Sequence, residues 1–301
     1  MTHSTLLDLG VTNAIDTHTH PWRLSDLPPG VEGAKVVRPD LAQDYSPERV
    51  VATAKASGFD GVMFVQARDY HEDSVAEARF FIAAAQEHPE VKGCVIGVDL
   101  LDPKGTDELI QALPDNQVVR GCRMVKPQDT GVGILSDKRT KETCSLLGER
   151  GLRFDLLIRS SNEGQLREGV ALVRWLAEHS QTVVVGDHLL KPTGIEHGKP
   201  SDEWLSALRE LAVCDNFYMK LSGLPGEVPP GSDFAVFWPF FDAALEIFGA
   251  ERLMFGSDHP VSYDHAKSVS AVTDWMVARG LTDKGTLAAI FGETARRAYG
   301  L

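Results

Sequence analysis

Short β-rich runs alternate with amphipathic runs rich in Ala, Leu and Glu along the whole chain, and this alternation restricts the fold more than any other feature. Strands are expected near 13–18, 61–66, 92–98, 118–124, 152–158, 182–187, 216–221 and 252–257. Several are unbroken apolar runs, such as Gly61-Val62-Met63-Phe64-Val65 and Val183-Val184-Val185. Runs of this kind suit parallel strands covered on both faces, because neither side then meets water. Helices are expected from Ser46-Pro47 onward, over 72–87, and near 104–113, 138–150, 164–179, 202–213, 234–248 and 265–279. Ser46 supplies a cap and Pro47 a preset first helical residue, while Pro89 stops the second helix. Eight strands, each followed by a helix, predict an α/β fold: a slightly distorted (β/α)8 TIM barrel, as a single domain over 1–301. A doubly wound open sheet is the alternative.

Three long segments would leave the C-terminal ends of strands: 21–46 after the first, 188–201 after the sixth and 222–233 after the seventh. In a barrel that rim carries the active site, and loops of this length form lids or pocket walls. Acidic residues outnumber basic ones, 43 against 30, for a formal charge of −13. Such a field repels polyanions, so neither nucleic acid nor an anionic membrane is an expected partner. No run reaches the ~20 apolar residues of a membrane span, and no basic segment leads into an apolar one at the start. Cys94, Cys122, Cys144 and Cys214 are scattered without a CxxC pair, which reads as reduced, buried thiols in a cytoplasmic protein.

Three strand ends concentrate polar chemistry. Ile15-Asp16-Thr17-His18-Thr19-His20 closes the first strand, and residues two apart share a face, so His18 and His20 would both aim into the barrel mouth. Two imidazoles there can hold a metal or a polarised oxygen; the plainer reading is a pair of buried histidines bonded to backbone. Gly186-Asp187-His188 follows a β-branched run at the sixth strand, which suits a site better than a core, and His188 could act as acid, base or oxyanion donor. Phe255-Gly256-Ser257-Asp258-His259-Pro260 ends the eighth strand, and barrel closure would bring Asp258 beside the first strand. For a lone Asp the plainer reading is a helix cap. The other histidines carry little weight: His88 and His179 fall at helix C-termini, and His3, His197 and His265 read as surface or loop, while His71 and His259 could face the pocket.

Together these motifs resemble the amidohydrolase-related hydrolases of the metal-dependent TIM-barrel superfamily, and most of all a lactonase-like branch that includes pyrone-dicarboxylate and sugar-acid lactone hydrolases. The matching stretches run nearly end to end and also include Phe64-Val65-Gln66-Ala67, Val119-Arg120-Gly121-Cys122-Arg123, Asp187-His188-Leu189-Leu190-Lys191-Pro192 and Met219-Lys220-Leu221-Ser222-Gly223. The resemblance implies the barrel independently of the strand count, and water addition at an ester-like carbonyl. It also implies one divalent ion, zinc or manganese, on His18, His20 and Asp258, or a reaction that proceeds without metal. Two departures stand out: the branch usually has Gly where this chain has Leu190, and Trp where it has His259. Strand five, Phe154-Asp155-Leu156-Leu157-Ile158-Arg159, lacks the histidine that metal-holding relatives supply, and Lys126 lies beyond the end of strand four.

Arg123, Arg159 and Arg68 sit at or after strand ends, where a guanidinium binds a carboxylate in two-pronged fashion; Gln66 can bond substrate, and Trp22, Tyr45 and Tyr70 can wall the pocket. A surface ion pair is the plainer reading for Arg68 and Arg159. The expected partner is thus a small anionic or polyhydroxylated molecule, with homo-oligomer formation left open. There is no GxSxG elbow, HExxH helix or Walker A loop. The expected activity is lactone hydrolysis with Asp258, His188, His18 and His20 as catalytic groups. The alternative is metal-dependent non-oxidative decarboxylation of an aromatic or unsaturated acid, and a third possibility is a binding protein that has lost turnover.

Overall fold

A computed structural model describes residues 4–26, 39–67, 70–113, 116–125, 133–262 and 264–301, with backbone alone at 70–73. Arg68, Lys126 and the side chains of Tyr70 and His71 therefore lie outside the described residues. The strands are β1 (Ile15–Thr19), β2 (Gly61–Val65), β3 (Val91–Gly97), β4 (Val119–Arg123), β5 (Arg153–Leu156), β6 (Val184–Gly186), β7 (Phe217–Leu221) and β8 (Leu253–Phe255). They form one sheet in the order β1 to β8, every neighbour parallel, curled into a nearly closed barrel. The seam is closed by a parallel bridge between Thr19 and His259 and by two backbone bonds, Asp258 N–H to His18 O at 2.8 Å and His20 N–H to His259 O at 2.8 Å.

The outer helices are α1 (Pro47–Ala56), α2 (Tyr70–Glu87), α3 (Pro103–Ala112), α4 (Lys138–Glu149), α5 (Glu163–His179), α6 (Asp202–Ala212), α7 (Trp238–Phe248) and α8 (His265–Arg279). Many start where a side chain accepts an otherwise unpaired backbone N–H: Ser46, Asp102, Asn162, Ser201 and Asp264 all do so. Two further helices, α9 (Lys284–Ala288) and α10 (Thr294–Tyr299), follow α8. The strand-helix alternation does not anticipate them. Ala295, Ala298 and Tyr299 of α10 pack against Ile15, Met63, Val65, Val95, Val185 and Met254, the small apolar layer inside the barrel. The larger core lies between the outward strand faces and the helices.

Local register decides where the first-strand histidines point. Ile15 lies in the inner layer while Asp16 faces His265 of α8, its Oδ2 3.0 Å from Nε2. Unbroken alternation would send His18 outward with Asp16. The β1–β2 register shifts between Asp16 and Thr19. That irregularity turns His18 and His20 inward, the usual effect of a bulge beside a site. His265, read from sequence as surface or loop, is instead 2% exposed. It lies buried because Asp16 needs a partner after the shift, its other oxygen taking the N–H groups of His18 and Ser257. The four cysteines are free and buried, and burial pushes the thiols of Cys94, Cys122 and Cys144 well up. Among the described residues no helix is long and apolar enough to cross a membrane.

Candidate active site

The expected groups from β1, β6 and β8 meet at the C-terminal end of the barrel. Oδ1 of Asp258 lies 3.1 Å from His20 Nε2, 3.6 Å from His18 Nε2 and 3.7 Å from His188 Nε2. His20 Nδ1 donates to the Val65 carbonyl at 2.7 Å, which leaves Nε2 as an acceptor facing a carboxylate oxygen. Two acceptors this close repel each other unless a proton or a cation stands between them. His188 Nδ1 lies 2.8 Å from Ser222 Oγ, and Ser262 Oγ donates to Asp258 Oδ2 at 2.7 Å. Each of these polar groups is thus held by a second one, and all are nearly sealed from solvent, with Asp258 5% exposed and His188 4%.

Beneath this cluster Arg123 and Asp187, already marked as strand-end residues, meet two charges that the strand pattern alone does not single out, Lys220 and Asp155. Lys220 of β7 reaches Asp155 of β5 at 2.6 Å and Asp187 at 3.0 Å. Arg123 of β4 donates to Asp187 Oδ2 at 2.9 Å and also to the Gln66 carbonyl. The Tyr299 hydroxyl, brought in by α10, donates to Asp155 Oδ2 at 2.7 Å. His18 rests on this layer: its Nδ1 is 3.2 Å from Lys220 Nζ and 3.3 Å from Asp187 Oδ1, and its Nε2 is 3.2 Å from Arg123 Nη1. Both ring nitrogens thus face cationic donors, Arg123 at Nε2 and Lys220 at Nδ1, with the Asp187 carboxylate beside Nδ1. The available signal for Lys220 and Asp155 was a charged residue in the middle of an apolar strand, in Phe217-Tyr218-Met219-Lys220-Leu221 and Phe154-Asp155-Leu156.

Burial and these charges set the proton affinities. Burial alone would raise the Asp258 carboxyl, but the imidazoles of His188, His20 and His18 gathered on it hold it well below the usual carboxylate range. Burial also opposes ionisation of Asp187, and Lys220, His18 and Arg123 overcome it, so Asp187 is low as well. Asp155 goes the other way: burial outweighs Lys220, and the neighbouring Asp187 adds like-charge repulsion. Two carboxylates thus share one lysine, and only one is held low. Burial pushes His188 down to about 4, against the pull of Asp258 and Asp187. Burial likewise lowers His18, and Lys220 beside it adds to this.

The backbone at the site is unusual. Asp258 has φ 58°, and His188, Leu189, Leu190 and Lys191 form four successive left-handed residues with φ 54°, 52°, 60° and 45°. Each side chain in that region costs roughly 1–2 kcal/mol, and of the four only His188 is of a type enriched there. Gly223, with φ 73°, lies against His188 so closely that a Cβ there would come within 2.4 Å of the imidazole. At the outer rim Glu227 joins two loops, 3.4 Å from Lys191 Nζ and 3.0 Å from Arg159 Nη1. Arg159 is thus a rim residue paired to Glu227, whereas Arg123 lies in the interior. The Gln66 side chain is fully buried, and neither its amide nitrogen nor its oxygen has a hydrogen-bond partner among the described residues. Trp22 and Tyr45 are buried, and Tyr45 stands edge-on to His259 at 5.6 Å between ring centres.

The donor set fits one divalent ion. His18, His188 and Asp258 each offer an atom, all within 4.8 Å of one another, and His20 Nε2 faces the same oxygen. In this group His188 stands where the sequence-based set of His18, His20 and Asp258 has His20.

The chain is similar to known proteins over most of its length. An L-fucono-1,5-lactonase of Burkholderia multivorans is 30% identical over 303 residues, covering 95% of this chain and 96% of its own. An L-fucono-1,5-lactonase of Burkholderia ambifaria is 29% identical over 258 residues, covering 84% and 82%. The crystal structure of a Burkholderia multivorans amidohydrolase with bound zinc superposes with a TM-score of 0.79 at 28% identity, over 96% of this chain and 99% of that one. The amidohydrolase family profile matches residues 15–301. That match runs from the first barrel strand, with its histidine pair, to the helix that closes the barrel floor, and the chain belongs to the amidohydrolase family.

Proposed function

We propose that this enzyme hydrolyses a lactone of a sugar acid or carboxylated acid, with Asp258 receiving the proton of the attacking water. The observation that carries this reading is the convergence of three imidazole Nε2 atoms on Asp258 Oδ1, at 3.1, 3.6 and 3.7 Å. The relatives named L-fucono-1,5-lactonase support a lactone ring as the electrophile.

A water accepted by Asp258 Oδ1 adds its oxygen to the ring carbonyl carbon and gives its proton to the carboxylate. A carboxylate held this low is ionised at every physiological pH, so it keeps the proton only transiently. The carbonyl oxygen gains charge next to His188 and the Arg123 side, where donors fixed in advance stabilise it. When the tetrahedral centre collapses, the ring C–O bond breaks and the departing oxygen takes the proton back from Asp258, leaving a hydroxy acid. Ser262 and Ser222 keep Asp258 and His188 from rotating away during these steps. A divalent ion on His18, His20, His188 and Asp258 would supply Lewis-acid polarisation of the carbonyl. Gln66 and Arg123 are the substrate-facing groups of the interior, and Lys191, Glu227 and Arg159 those of the rim.

A pH-stat assay of the purified protein on aldono-1,5-lactones and carboxylated lactones, with and without chelator, tests the proposal. Acid release above the spontaneous rate is expected. No acid release from any lactone, together with carbon dioxide from an aromatic acid, would establish the decarboxylase alternative instead.

A further inference from the structure

The left-handed turn His188–Lys191 carries a site group at its first residue and a rim group at its last, yet Leu189, Leu190 and Lys191 do not favour that conformation. One bond lies inside it, Lys191 N–H to His188 O at 2.8 Å. The rest of its support comes from outside. The Trp204 indole N–H, on α6, donates to the Leu189 carbonyl at 2.8 Å. Ser160, after β5, donates to the Leu190 carbonyl through Oγ at 2.7 Å and through its backbone N–H at 3.1 Å, and that N–H is also 3.1 Å from the Lys191 carbonyl. Trp204 is fully buried, and its indole and the Ser160 hydroxyl are spent on these carbonyls rather than on Asp258, His18 or His20.

A turn of L-residues held against its preference relaxes toward ordinary φ when its carbonyls lose their donors. His188 is the residue such relaxation would swing, because its φ and ψ set where the imidazole leaves the backbone. We propose that Trp204 and Ser160 are positioning residues: by bonding the carbonyls of Leu189 and Leu190 they keep the turn left-handed and so aim His188 at Asp258. The proposal rests on the reading of His188 as part of the hydrolytic site. The competing account is that burial of Leu189 and Leu190 alone holds the turn, in which case the two donors are dispensable.

Trp204→Phe keeps an aromatic ring in place and removes the N–H, Ser160→Ala removes only the hydroxyl, and Ser160→Thr restores it. With a lactone that the native enzyme hydrolyses, kcat should fall by ~10- to 100-fold in the first two variants with KM changed less than ~3-fold, as expected for misaimed chemistry rather than lost binding. Ser160→Thr should recover most of the loss. The His188 imidazole 15N signals should shift and the Lys191 amide should exchange faster with deuterium, while the thermal midpoint moves little. Native kcat in both Trp204→Phe and Ser160→Ala, with unmoved His188 signals, would overturn the proposal. The ring signals and amide exchange need no turnover, so they decide the matter even if no lactone is a substrate, an outcome that counts against the proposed function alone.

Discussion

Arg123 Nη1 stands 3.2 Å from His18 Nε2, so one of the four donors suited to a metal already faces a guanidinium. A cation bound there would compete with Arg123 for that nitrogen and feel the positive charge of Lys220 behind it. Replacing Arg123 by Met should therefore tighten zinc binding by at least ~10-fold, since unit charges a few ångströms apart interact by several kcal/mol even when screened. Turnover should fall by ~100-fold in the same variant through loss of a fixed donor. Titration calorimetry with zinc and the lactone assay check the two opposed effects; weaker zinc binding in Arg123→Met would show that the guanidinium supports the metal rather than opposing it.

Asp258→Asn keeps the shape of the side chain and the Ser262 contact but removes the proton acceptor. Activity should drop by ~10²–10⁴-fold with an unchanged circular dichroism spectrum. Near-native turnover would remove Asp258 from the chemistry.

Lys220 and Asp155 should differ sharply as deletion sites. Lys220→Met leaves two buried carboxylates without their shared partner and should cost ~3–5 kcal/mol of stability. Asp155→Asn should be milder, because burial and Asp187 already press that carboxyl toward its neutral form, which an amide mimics. Urea denaturation of the two variants checks the ranking, and equal losses would contradict it.

Acid should destabilise the metal-free protein from near neutrality downward. His188 titrates at about 4 when folded, below its ordinary value of ~6.5, so the unfolded chain takes up a proton that the folded one refuses. His18 shifts in the same direction, and Asp258, held below its unfolded value, loses its contribution as the pH falls further. Stability should be flat above ~pH 6.5 and fall by a few kcal/mol toward pH 4, at ~1.4 kcal/mol per pH unit for each proton. Urea midpoints measured in chelator across that range check the slope; a rise in stability on acidification would refute the buried, neutral imidazoles.

Leu190 occupies a position where the lactonase branch usually has Gly, and its φ of 60° explains why Gly suits it. Leu190→Gly should nonetheless destabilise the protein. Relief of the left-handed residue returns ~1–2 kcal/mol, whereas emptying a fully buried leucine site costs ~2–5 kcal/mol. A thermal melt of the variant checks the sign.

The barrel was legible because its period is local: apolar runs covered on both faces, followed by capped helices, are written in consecutive residues such as Gly61–Val65 and Ser46-Pro47. The polar strand ends were legible too, since histidines and aspartates stand out after β-branched runs at His18, His188 and Asp258. Helices α9 and α10 escaped because they are only five and six residues long, too short for an amphipathic period, although α10 closes the barrel floor. Lys220, Asp155 and Tyr299 escaped for a related reason: each is one polar residue in an apolar setting, and its partners lie 65 and 144 positions away in the chain.

By itself, the sequence determined the alternation of strands and helices, and with it a rim where His18, His20, His188 and Asp258 could gather. Only the tertiary structure decided that they do. A register shift between Asp16 and Thr19 turned the first-strand histidines inward, a left-handed turn aimed His188, and Lys220 settled between two carboxylates. Periodicity fixes which face a side chain is assigned along one strand, but bulges, strained turns and buried charge pairs are set by contacts between segments far apart in the chain, and these carry no local signature.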